Sequence, residues 1–124
     1  MATLAHLFLE SYSDMTEFHH GDCIGADAQA HELLRSLLDI RIIGHPPTDA
    51  SKRAFTDCDE LRKERPYLDR NRDIVNDIDI LIVVPKTHHE ERRSGTWATY
   101  RYAKSIRREM LVVWPDGSIT PYAS

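Results

Sequence analysis

From Ile78 to Val84 the chain is apolar at nearly every position, which is the pattern of a strand covered on both faces. Helical periods surround it. Ala26, Ala30, Leu33, Leu34 and Leu37 recur at helical spacing and predict a helix over 26–38. Leu68, Ile74, Val75 and Ile78 give a second helix over 67–76, opened by Pro66, and a third runs over about 96–105. Leu4, Leu7, Phe8 and Ser11 place a helix over 2–13. Short strands are expected at 17–20, at 41–45, where Pro46-Pro47 stops the run, and at 110–114, taken as the last strand and closed by Pro115-Asp116-Gly117. Residues 46–66 read as a long polar connection with a short helix near 56–64, and a loop of this length in a compact domain implies a task.

Strands alternating with helices predict an α/β domain with a small, mostly parallel sheet and helices on both faces. The 124 residues suit one domain, 1–124. Four strands make a thin sheet with edges to cover, so a homo-oligomer is expected.

Hydrophobic content of 41% against 29% charged residues excludes a disordered chain. The net charge of -4 speaks against a nucleic-acid backbone binder. That charge is uneven: residues 1–50 hold eight acidic and two basic side chains, and residues 51–124 hold twelve and fourteen. Arg62, Lys63, Arg65, Arg70 and Arg72 fall close together, a local basic site better suited to a small anion than to a duplex. Two cysteines, Cys23 and Cys58, form no disulfide framework or metal knuckle. No run reaches membrane-spanning length, and the first residues lack a signal-peptide pattern, so a cytoplasmic protein is expected.

Two strand-to-helix turns carry the candidate chemistry. Ser94, Gly95 and Thr96 open the third helix, where unpaired N–H groups and the helix dipole favour an anion; ordinary capping by Ser94 explains the same residues. Gly21-Asp22-Cys23-Ile24-Gly25-Ala26-Asp27 makes a similar turn, with Gly21 and Gly25 at tight or left-handed backbone positions and Asp22 and Asp27 as caps or hydroxyl ligands. His31 lies one turn beyond Asp27, so an Asp27–His31 pair is either structural or catalytic. Arg70 and Asn71 offer a guanidinium fork and an amide to a phosphate, ribose or base. Tyr100, one turn past Thr96, is within reach of the same ligand. Asp77 and Asp79 sit at the opposite strand end, where capping or solvation is expected. His88-His89-Glu90-Glu91 lacks metal-binding spacing, and a metal between His19, His20 and His45 across adjacent strand ends is a weakly supported alternative, so no metal is assigned.

These residues resemble the SLOG superfamily of Rossmann-like nucleotide-binding domains, which includes nucleoside-monophosphate phosphoribohydrolases and the DNA-processing protein DprA. The likeness covers about Phe18 to Gly117 and is nearest to small bacterial and phage members. His20 to Asp27, followed by Ala30-His31, is similar to the family's glycine motif. Arg70 matches its essential arginine, and Arg93-Ser94-Gly95-Thr96 its phosphate loop. The resemblance implies a Rossmann-like three-layer sandwich lacking the family's first strand. Ala98 stands where the phosphoribohydrolases carry a catalytic glutamate, and N-glycosidic hydrolysis needs such a carboxylate. The expectation is therefore noncatalytic binding or sequestration of a nucleotide-derived ligand, such as an immune signalling nucleotide. Gly21, Asp22, Gly25, Asp27, Arg70, Asn71, Ser94, Gly95 and Thr96 would form the site. No cofactor is expected and no catalytic residue is assigned. A nucleotide hydrolase using Asp22, Asp27 or His31, or an interaction module with a decayed pocket, are the alternatives.

Overall fold

A computed structural model describes residues 2–122. The apolar run becomes β4 (Ile80–Val83), which pairs in parallel with β5 (Glu109–Val113). Their alternation divides the side chains between two clusters. Leu81, Val83, Met110 and Val112 pack with Val75, Trp97, Tyr100 and Ala103, which come from α3 (Tyr67–Asp77) and α4 (Gly95–Ser105). Ile82, Val84, Leu111 and Val113 turn the other way. They join Leu4 of α1 (Ala2–His6), Leu34 of α2 (Ala26–Leu37), and Phe18 and Ile42 of β1 (Glu17–His20) and β2 (Arg41–Gly44).

Among the described residues the architecture is mixed α/β with four α-helices and two three-stranded sheets. In the first, β1, β2 and β3 (Glu60–Leu61) are all parallel, and Phe18 pairs with Ile42, His19 with Ile43. In the second, β6 (Ile119–Tyr122) closes antiparallel on β5. The expected single sheet of four strands is thus two sheets with six. The strand β6 was not expected because Ile119-Thr120-Pro121-Tyr122 is short, half-exposed and interrupted by a proline, which only an edge strand accepts. Its turn is held by Asp116 Oδ1, which accepts from Ser118 N (2.9 Å) and Ser118 Oγ (2.6 Å).

Two other segments differ from the sequence pattern. The N-terminal helix continues past His6 as a π-helical turn over Leu7–Ser11, closed by Tyr12 N–H donating to Leu7 C=O at 2.9 Å. That widening leaves Leu7 and Phe8 buried and Leu9 exposed, and Phe8 meets Phe18 edge-on at 5.8 Å. The helix expected near 56–64 does not form. The connection instead holds a 3₁₀ turn at Ala50–Lys52 and the two-residue β3, because its polar side chains bond to the sheet and to the β1–α2 turn. Asp59 shows this: its amide donates to Ile42 C=O (2.9 Å) and its Oδ2 accepts from Ile42 N (2.7 Å). No helix among the described residues is long and apolar enough to cross a membrane.

Phe8 is fully buried, so Phe8→Ala is expected to cost about 3–5 kcal/mol. Leu9→Ala, one residue on, is expected to stay within about 0.5 kcal/mol. Urea unfolding of both variants checks that the N-terminal segment is part of the core.

Candidate functional site

Gly21 directly follows β1, and the side chain of Arg70 reaches it from the first turns of α3. Arg70 is 5% exposed. Its Nη1 donates to the carbonyls of Gly21 and of His45, the latter at 3.0 Å, and so ties together the ends of β1 and β2. The same guanidinium lies 3.6 and 3.5 Å from Cys23 Sγ through Nη1 and Nη2. Among the described residues Arg70 forms no ion pair within 4 Å. A Cβ on Gly21 would stand 2.8 Å from Arg70 Cζ and 2.9 Å from Asp27 Oδ2, so only glycine admits this approach.

Arg70 Nε donates to Asn71 Oδ1 at 2.7 Å, which leaves the Asn71 amide nitrogen facing α4. A Cβ on Gly95 would lie 4.0 Å from that nitrogen and 3.2 Å from Tyr67 Cε2. The structure therefore sets Gly21, Asp27, Arg70, Asn71 and Gly95 beside one another. Ser94 borders this group as the N-cap of α4, its Oγ accepting from Trp97 N at 3.4 Å, the capping role weighed from the sequence. Thr96 is exposed beside it.

Three expected roles are corrected. Asp22 caps no helix: it is fully buried at a positive φ of 51°. Its Oδ1 accepts from Thr56 N (2.9 Å) and Thr56 Oγ1 (2.6 Å), and Oδ2 accepts from Arg53 Nε (3.0 Å). Burial pushes its carboxyl up, but the Thr56 and Arg53 hydrogen bonds outweigh that and hold it below the usual carboxylate range. Gly25 has the positive φ expected of it, +108°, as the residue that starts α2, and nothing lies within 4 Å of a Cβ there. Tyr100 is buried against Trp97 and Tyr122 and does not face this group. Asp27 and His31 do not pair. Asp27 Oδ2 accepts from Cys23 N at 3.2 Å, whereas His31 bonds to His20 and Asp57.

That last contact belongs to a relay the sequence did not disclose, because its side-chain links, His20 to His31 and His31 to Asp57, span 11 and 26 residues along the chain. Asp22 N–H donates to His20 Nδ1 (2.9 Å), which fixes the His20 proton on Nε2. His20 Nε2 donates to His31 Nδ1 (3.0 Å), and His31 Nε2 donates to Asp57 Oδ1 (2.6 Å). Burial, reinforced by His31, pushes His20 down to about 4, so the His20 imidazole is neutral at pH 7. Cys58 Sγ lies 3.6 Å from His20 Nε2, but burial pushes its thiol up, the opposite of an activated nucleophile. The relay fastens the 53–59 connection to β1 and α2.

Among the described residues three groups with a histidine have donor atoms within 4.8 Å of one another, close enough to hold a cation: His20, His31 and Cys58; His19, His45 and Asp77; and His31, Glu32 and Asp57, whose two carboxylates are exposed. His19 and His20 project to opposite sides of β1, so the three histidines do not converge. His88 stacks on Trp114, its ring centroid 6.0 Å away.

No family model matches the chain, and no curated protein or solved structure matches it significantly.

Two outcomes test this geometry. Asp22→Ala strands Arg53 and two Thr56 donors and is expected to cost roughly 3 kcal/mol in urea unfolding. For Asp27, desolvation raises the carboxyl pKa against the opposing pull of the Cys23 amide and the Arg70 charge. A carboxyl raised on folding contributes most below its ordinary value of 3.8 and loses that contribution as pH rises through the folded pKa. Asp27→Asn is therefore expected to be more stable than the native chain at pH 7, with the difference vanishing below pH 3.8. Paired urea titrations at the two pH values measure it.

Proposed function

We propose that this chain binds a nucleotide-derived, phosphate-containing ligand in the crevice between Gly21, Arg70, Asn71 and the Ser94–Thr96 turn, as a SLOG-like domain with a Rossmann-like layering. The observation that carries the reading is Arg70: a buried guanidinium with no ion pair among the described residues, beside a glycine that admits close approach and an amide facing a helix N-terminus. A buried cation that no carboxylate pairs favours an anionic ligand. In this reading the phosphate lies over Ser94, Gly95 and Thr96, Arg70 Nη2 neutralises it, and Asn71 Nδ2 contacts ribose or base. Binding without turnover follows from Ala98, which supplies no carboxylate. Sequestration of a signalling nucleotide in the cytoplasm by a homo-oligomer fits the same reading.

A hydrolase remains the second reading, favoured by Asp27. It is the one carboxylate that meets Gly21 in the crevice, and its raised pKa suits a proton donor. The two readings separate on one variant: Asp27→Asn abolishes product formation in the hydrolase and leaves a pure binder saturable.

Calorimetry with mononucleotides, dinucleotides and cyclic nucleotides is expected to give saturable binding and no product by chromatography. Asn71→Ala and Arg70→Lys are expected to weaken it at least tenfold, with the helical circular-dichroism signal retained. Absence of binding across the panel overturns the proposal.

A further inference from the structure

The second histidine group lies on the other side of the first sheet from the relay. His19 and Ile43 are register partners in β1 and β2, and His45 follows two residues after Ile43 on the same side. Both imidazoles are almost fully covered, with the His19 side chain 4% exposed and His45 3% exposed as a residue. His19 Nδ1 and His45 Nε2 stand 2.8 Å apart. Asp77, at the end of α3, brings a carboxylate oxygen within 4.8 Å of one ring nitrogen of each histidine. Arg62 Nη1 holds Asp77 Oδ2 at 3.1 Å, which orients the carboxylate and leaves it an oxygen.

The hydrogen bonds around each histidine pair decide which can accept a cation. His19 Nε2 donates to Glu17 Oε1 at 3.1 Å, so its Nδ1 carries a lone pair. This carboxylate–histidine arrangement is the outer shell that metal-binding imidazoles require. The proton between the rings then sits on His45 Nε2, and a shift to His45 Nδ1 frees both facing nitrogens at once. The His20 pair lacks that freedom. The Asp22 main-chain N–H already occupies His20 Nδ1, so its Nε2 cannot surrender its proton without setting two donors face to face.

We propose that His19 Nδ1, His45 Nε2 and Asp77 bind a divalent transition metal of the zinc class, with Glu17 orienting His19. Two imidazoles and a carboxylate are the donor set of a three-ligand site that keeps a fourth position open. His45 and Asp77 line a groove of about 350 Å³ together with Arg62, Lys63, Arg65 and Asn76. The fourth position faces this groove and takes water or an oxyanion. The site is separate from the anion crevice, and His45 touches both through different atoms: its carbonyl bonds Arg70, its imidazole the metal.

Zinc titrated calorimetrically into the full chain is expected to saturate at one ion per chain. Cobalt in its place is expected to give the intense visible bands of four-coordination. His45→Gln and Asp77→Asn are each expected to weaken zinc at least tenfold, and Glu17→Gln about tenfold. Asp77 is exposed, so its variant tests the site even if His45→Gln fails to fold. A double His88→Gln, His89→Gln variant is expected to bind as the native chain does. Failure of the native chain to bind zinc stoichiometrically overturns the proposal. So does unchanged affinity in Asp77→Asn, or loss of binding in the His88, His89 double variant or in Cys58→Ser.

Discussion

Asp22 is the residue through which the first half of the molecule holds together. It is a buried carboxylate at a positive φ, one residue past the glycine that ends β1. Its main-chain N–H sets the tautomer of His20, its carbonyl accepts from Ala54 N at 2.8 Å, and its carboxylate holds Arg53 and Thr56. Burying a charge is costly unless every lone pair is engaged; here three hydrogen bonds engage it. The consequence extends beyond local stability. With Asp22 fixed, the polar connection of residues 46–66 folds back over the β1–α2 turn, and Ile24 N–H donates to Lys52 C=O at 3.0 Å. The task expected of so long a loop is to cover and shape that turn.

Arg70 supplies the complementary constraint from α3. Its side chain satisfies two carbonyls at the ends of neighbouring parallel strands, where a sheet leaves acceptors without partners. Gly21 allows this because no Cβ intrudes. A guanidinium has more donors than two carbonyls and one amide consume. Among the described residues the surplus on Nη2 meets only the Cys23 sulfur, a weak acceptor. The strand-end clamp and the proposed ligand contact are thus two edges of one side chain, and structural and binding roles need not compete for it.

Legibility of the sequence followed the length and regularity of each element. The helices α2, α3 and α4 and the strands β1, β2, β4 and β5 appear within a few residues of their patterns, since apolar spacing over a buried face admits one solution. The elements that were missed are those whose stability comes from long-range bonds. The two residues of β3 carry no period at all, and β6 depends on a turn and on one Trp114–Thr120 hydrogen bond of 2.8 Å. The site divides the same way. Gly21, Arg70, Asn71 and Gly95 were legible as residue types suited to an anion, and the fold brings them together. Asp22 and His31 were legible as polar residues near a turn, yet their partners Arg53, Thr56 and Asp57 lie more than twenty residues away, and no local spacing announces them.

The position of His45 joins these strands of argument. It follows β2 and precedes Pro46-Pro47, whose rings restrict the backbone where the chain leaves the sheet. That restriction fixes both the carbonyl that Arg70 grips and the imidazole that faces His19 and Asp77. Arg70 and Asp77 lie seven residues apart on α3, about 10 Å along its axis, so one rigid helix addresses the main chain and the side chain of the same residue. Displacement of α3 by a ligand at Arg70 would move Asp77 relative to His45. A cation held by His45 and Asp77 would in turn resist that displacement. By linkage, whatever free energy couples the two events acts equally in both directions, which makes α3 the element through which the proposed anion site and the proposed metal site would sense one another.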